Sequence, residues 1–68
     1  MPKRYSTQQV ERVLQERGFS KVAQKGSHVK YTNGLRVVIV VAGRKQIRPG
    51  TMSSIARQAG LSLSDFDA

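Results

Sequence analysis

Sixty-eight residues with twelve Lys/Arg, four Asp/Glu, one histidine and no cysteine carry a net charge of +8. A chain this short buries only roughly 60% of the surface its unfolded form exposes, so one domain over residues 1–68 is expected and a cleft closed between two lobes is excluded. The missing cysteines exclude a disulfide framework and a thiolate zinc site, and no stretch approaches the roughly 18 apolar residues of a membrane span.

In chain order, Ser6 and Gln9 stand where a capping box places them, and Tyr5 and Val10 where a hydrophobic staple does. Val10, Val13 and Leu14 then recur at helical spacing, and Gly18 supplies a stop, which predicts a helix over 7–17. A strand is predicted over 19–24, followed by a turn at Lys25-Gly26-Ser27. Residues 28–32 alternate, with Val29 and Tyr31 on one face and His28, Lys30 and Thr32 on the other. Asn33-Gly34 reads as a two-residue hairpin turn, and 35–41 as a third strand. A basic loop over 42–48 leads to Pro49-Gly50-Thr51, with Thr51 expected to cap a second helix whose apolar stripe is Met52, Ile55, Ala56 and Ala59. Gly60 ends that helix. Ser62 and Asp65 repeat the capping-box spacing, predicting a last helical turn that includes Phe66.

The order α-β-β-β-α predicts an α+β fold: a three-stranded antiparallel sheet with both helices on one face and the other face open. Residues 37–41 are apolar on both sides of the third strand, which lies at an edge of the sheet. Either a partner chain or the tail carrying Leu63 and Phe66 is expected to cover it.

Charge narrows the partner. The acids are Glu11, Glu16, Asp65 and Asp67, so residues 18–64 contain none, while that stretch holds eight of the twelve basic side chains. One sign of charge over the middle of a chain attracts polyanions, and nucleic acid is the leading class. Arg44, Lys45 and Arg48 form the densest basic segment, just before a helix start, and are expected to meet RNA phosphates. Few aromatic residues are left to stack bases. No His/Asp/Glu cluster has metal-ligand spacing, so neither a metal nor another cofactor is expected.

The lone histidine, His28, follows a turn and opens a strand. If Val29 and Tyr31 face the helices, it faces outward among Lys25 and Lys30. An imidazole exchanges its proton near neutral pH, and neighbouring lysines can hold a phosphodiester and stabilise developing charge. RNA brings its own nucleophile, the 2′-hydroxyl. A ribonuclease therefore needs only positioning, a proton-transfer group and charge stabilisation, which a small open domain can supply.

Lys25-Gly26-Ser27-His28, the apolar-aromatic strand after it, Arg48-Pro49-Gly50-Thr51 and Gln58-Ala59-Gly60-Leu61-Ser62 together resemble the HicA toxins of bacterial HicA–HicB toxin–antitoxin systems. The resemblance spans about residues 5–66. It implies a fold like a double-stranded-RNA-binding domain, α1-β1-β2-β3-α2. It implies an mRNA interferase, a metal-independent endoribonuclease acting in the cytoplasm as part of a stress response, with a HicB-type antitoxin as neutralising partner. The family's catalytic histidine maps onto His28; charge and placement, rather than the resemblance, make Lys25, Ser27, Lys30, Arg44, Lys45 and Arg48 the expected RNA contacts around it. Two positions depart from the family pattern. Val29 stands where many relatives have an aromatic residue or a second histidine, and Val41-Ala42-Gly43-Arg44 lacks the proline and histidine that many carry there. Without a second imidazole, charge stabilisation falls to Lys25, Arg44 or Lys45. The competing expectations are a non-catalytic RNA-binding module of the same fold and a co-regulator that binds operator DNA together with its antitoxin.

Overall fold

The computed structural model describes residues 4–67. The elements are α1 (Thr7–Glu16), β1 (Ser20–Lys25), β2 (His28–Thr32), β3 (Val37–Val41), α2 (Pro49–Ala59) and a closing 3₁₀ turn, η1 (Leu63–Phe66). The strands form one antiparallel sheet in the order β1-β2-β3.

Ser6 caps α1 by accepting from the Gln9 N–H at 3.1 Å. The expected reciprocal bond is not made. Gln9 Nε2 instead donates to the Phe66 carbonyl at 2.6 Å, tying the helix start to η1. Val10, Val13 and Leu14 are buried along one stripe of α1, beside Tyr5 and Phe19. Met52, Ile55, Ala56 and Ala59 form the facing stripe of α2, and Phe66 is fully buried. From the sheet, Val29, Tyr31, Val38 and Val40 complete the core.

Two turns differ from expectation, and hydrophobic register explains one of them. A two-residue loop at Asn33-Gly34 would pair Tyr31 with Arg36 and drive a guanidinium into the core. The observed register pairs Thr32 with Val37 and Tyr31 with Val38, which sets Val38 and Val40 opposite Tyr31 and Val29 in the core and leaves Arg36 in the loop. The connection therefore takes four residues, and β3 begins at Val37 rather than at residue 35. The Asn33 side chain holds the loop by accepting from the Leu35 and Arg36 N–H groups at 2.9 and 2.7 Å. The tight two-residue hairpin lies at Gly26-Ser27, between the paired residues Lys25 and His28. Gly26 has φ 59°, the sign that a II′ turn requires at its first central position and that glycine adopts without strain.

Thr51 is not the cap of α2. Arg48 occupies that position with extended backbone and no side-chain cap bond, and Pro49 opens the helix, where a missing N–H costs nothing. Thr51 falls in the first turn. Nor does the tail cover the outer face of β3. η1 packs against α1 and α2, on the helix side of the sheet, and Val37 and Ile39 remain 48% and 39% exposed. The capping box of η1 does form, with Ser62 and Asp65 bonded in both directions. The Ser62 N–H and hydroxyl, and then the Arg17 guanidinium at 3.0 Å, hold the Asp65 carboxyl below the usual carboxylate range.

Candidate nucleic-acid interface and catalytic site

The β1–β2 hairpin decides where the histidine points. Because Val29 and Tyr31 are drawn into the core, alternation sends His28, Lys30 and Thr32 to the outer face. Register adds their neighbours. Lys25, His28 and Val41 form one row across the three strands, and Ala23, Lys30 and Ile39 form the next. His28 thus stands between Lys25 on the adjacent strand and Lys30 two residues along its own, on a face to which the chain contributes no acid between residues 18 and 64. Lys25, Ser27, His28 and Lys30 are all exposed.

Beside this row, β3 and α2 form an open groove of about 410 Å³. His28 sits at its rim, Ile39 and Val41 supply apolar floor, and Thr51, Ser54 and Gln58 form a polar wall. Gln58 accepts from the Ile39 N–H at 2.9 Å. That bond occupies an outward N–H of the edge strand, so the edge is partly closed from within by α2 rather than by the tail. At the other end of β3, Thr7 Oγ1 donates to the Val41 carbonyl at 2.6 Å and accepts from the Arg44 N–H at 3.0 Å, while the Thr7 N–H donates to the Arg44 carbonyl at 2.8 Å. This clamp fixes the basic loop against β3. The Ser27 carbonyl, in turn, accepts from the Ala42 N–H at 2.7 Å, joining the histidine's turn to the same loop.

The basic residues before α2 divide into two places. Arg44 and Arg48 line a second groove with Gln46 and Ile47, and this groove shares Val41 and Thr51 with the first. The two grooves therefore adjoin at Val41 and Thr51, near the α2 amino terminus. Arg44 also borders a recess beside Ser6, Gln8 and Glu11 at the start of α1, and Lys45 lies in that recess only. Of the seven residues singled out from the sequence, Lys25, Ser27, His28 and Lys30 come together, Arg44 and Arg48 adjoin them through the groove, and Lys45 stands apart.

The sequence marked Thr51 only as a cap and Gln58 only within the family motif, passed over Ser54, and placed none of the three in a groove. Their spacing of three and four residues places them on one flank of α2, beside the apolar stripe. That spacing is the signal that could have found them. The four acids stand away from the site: Glu11 accepts from the Tyr31 hydroxyl at 2.7 Å, Asp65 pairs with Arg17, Asp67 accepts from the Tyr5 hydroxyl at 2.8 Å, and Glu16 is exposed at the end of α1. Burial first, then the hydrogen bond and charge of Glu11, push the Tyr31 phenol far above its ordinary value. Among the described residues no group of three or more His, Cys, Asp or Glu side chains could hold a metal ion, and no helix is long and apolar enough to cross a membrane.

The arrangement offers one proton-transfer group on an open cationic face beside a groove with an apolar floor and a hydrogen-bonding wall. A comparison with curated proteins gave no match. A family model described as HicA toxin of bacterial toxin–antitoxin matches residues 7–61. That span runs from the first residue of α1 through α2 and includes the hairpin, the histidine and both grooves. The chain belongs to the HicA toxin family of bacterial toxin–antitoxin systems.

Proposed function

We propose that this toxin is a metal-independent endoribonuclease that cuts mRNA, with His28 as the general acid/base and Lys25 and Lys30 as its electrostatic support. The observation that carries the reading is the position of His28, held by a two-residue turn on the open face between two lysines and at the rim of the β3–α2 groove. A phosphodiester lying there meets positive charge on both sides of the imidazole. The imidazole takes the proton of the 2′-hydroxyl as that oxygen attacks phosphorus. The 5′-oxygen leaves and is protonated in turn by the imidazolium or by water, so atoms and charge balance without a metal. The Arg44 and Arg48 groove continues the path for the strand's backbone, and Ser27 lies at the turn beside it. Lys45, on the α1 side, has a lesser role.

The same openness motivates the partner. Nothing among the described residues closes over His28, so control requires a second molecule. A HicB-type antitoxin with an acidic surface would be drawn to Lys25 and Lys30 and would compete with RNA directly. Val37 and Ile39, half-exposed on the same face of the sheet, supply apolar contact that charge alone lacks.

The test is cleavage of single-stranded RNA by the purified chain in excess chelator. Cleavage by the wild type and its loss in His28→Ala, with the melting temperature of the variant unchanged, is the expected result. RNA bound but left intact by both would favour the non-catalytic RNA-binding module, and equal cleavage by the variant would remove His28 from the chemistry.

A further inference from the structure

We infer that Gln58 reads the nucleobase beside the cut, presenting a fixed amide donor that favours guanine and uracil, with a keto oxygen at C6 or C4, over adenine and cytosine, with an amino group there. The inference rests on the proposed RNA cleavage at His28 and goes beyond it by naming what the adjoining groove selects.

Ile39 lies on β3 at the sheet edge, and the register that sends Val38 and Val40 to β2 turns its N–H outward. An N–H can only donate, so the Gln58 atom 2.9 Å away must be the amide oxygen. The usual ambiguity between the two ends of a glutamine side chain is thereby removed. The nitrogen lies on the other end of the amide, where it makes one long bond to Ser54 Oγ at 3.4 Å. An NH₂ group has two hydrogens, so at least one remains for a ligand.

The surroundings suit a base. Gln58 and Ser54 lie on the polar wall of the groove, Ile39 and Val41 form an apolar floor against which a flat ring can lie, and His28 stands at the rim of the same groove. A nucleotide whose phosphate rests at His28 has its neighbouring base within the groove's reach. With its oxygen committed to Ile39, Gln58 cannot make the two-bond amide pair with adenine, which needs both ends of the amide. It can donate to a keto oxygen, as on guanine or uracil. Adenine and cytosine offer an amino group at the corresponding position and would set donor against donor.

The experiment exposes an RNA pool of random sequence to the purified wild type, Gln58→Glu and Gln58→Leu, sequences the cut ends, and normalises each variant to its own total cleavage. Gln58→Glu keeps an oxygen for the Ile39 N–H and replaces the donor by an acceptor, so it preserves the fold while reversing the hydrogen-bond code. Gln58→Leu removes both, and its melting temperature is measured alongside. The wild type is expected to prefer G or U over A or C by about three- to tenfold at one position flanking the cut, the size of one net hydrogen bond. Gln58→Glu should move that preference toward A or C, and Gln58→Leu should flatten it. The same preference in wild type and Gln58→Glu overturns this inference and leaves the ribonuclease reading standing. No cleavage by the wild type overturns the ribonuclease reading itself, and this inference with it.

Discussion

Thr7→Val tests whether the basic loop is held by a single hydroxyl. Valine matches threonine in shape, and Thr7 is only 5% exposed, so the substitution leaves no cavity and adds no clash. It removes the 2.6 Å bond to the Val41 carbonyl and the 3.0 Å bond from the Arg44 N–H. A net hydrogen bond is worth roughly 0.5–1.5 kcal/mol, and a buried backbone group left without a partner costs more. Here Val41 is half-buried and Arg44 exposed, so water can reach part of the vacancy, and the two bonds together should cost about 1–2 kcal/mol. For a domain of this size each kcal/mol moves the melting temperature by roughly 4–8 °C, which predicts a fall of about 4–16 °C. The assay is thermal and urea denaturation, joined to amide exchange at Arg44. That amide should lose protection in the variant, while the Thr7 N–H, which donates to the Arg44 carbonyl through the backbone alone, should keep part of its own. Unchanged stability with an unchanged Arg44 amide would refute the clamp.

Tyr31→Phe should cost about 1 kcal/mol at pH 7, the worth of the hydroxyl bond to Glu11. The folded state holds that phenolic proton more tightly than the unfolded chain does, so the wild-type advantage is complete below the ordinary tyrosine value near pH 10 and shrinks as pH rises above it. A difference between the two proteins that stays constant to pH 11 would contradict this. If RNA meets about four to six phosphate contacts along the two grooves, affinity for a single strand should fall with salt on a log–log slope of roughly −3 to −4. Arg48→Glu should flatten that slope more than Lys45→Glu does, and equal effects would mean the groove beside Arg48 is not the backbone path. Lys25→Glu with Lys30→Glu should weaken RNA cleavage and antitoxin binding together. Loss of one without the other would show that RNA and antitoxin use separate surfaces.

The parts of the fold legible in the sequence were those where local chemistry and burial agree. Val10, Val13 and Leu14, and then Met52, Ile55, Ala56 and Ala59, mark both helices because the core faces only one side of each. Strict alternation over residues 28–32 likewise fixed the outward direction of His28. The misreadings arose where a local signal competed with a distant one. Asn33-Gly34 has the composition of a tight hairpin, but the cost of burying Arg36 opposite Tyr31 outweighs that preference and moves the pairing by two residues. Thr51 has the chemistry of a cap, yet Pro49 begins the helix two residues earlier and leaves the threonine inside it. The groove was not legible at all. It exists because Gln58 on α2 meets Ile39 on β3, nineteen residues away in sequence, and no window along the chain contains both.

The chemistry of the ends left after cleavage tests the central claim most directly. If His28 activates the 2′-hydroxyl, RNA cut by this protein carries a 2′,3′-cyclic phosphate on one fragment and a 5′-hydroxyl on the other. Replacing the single 2′-hydroxyl at the cut nucleotide by hydrogen then abolishes cleavage there. A 3′-hydroxyl paired with a 5′-phosphate, or full cleavage at the deoxy position, would mean that water is the nucleophile and would contradict the role assigned to His28.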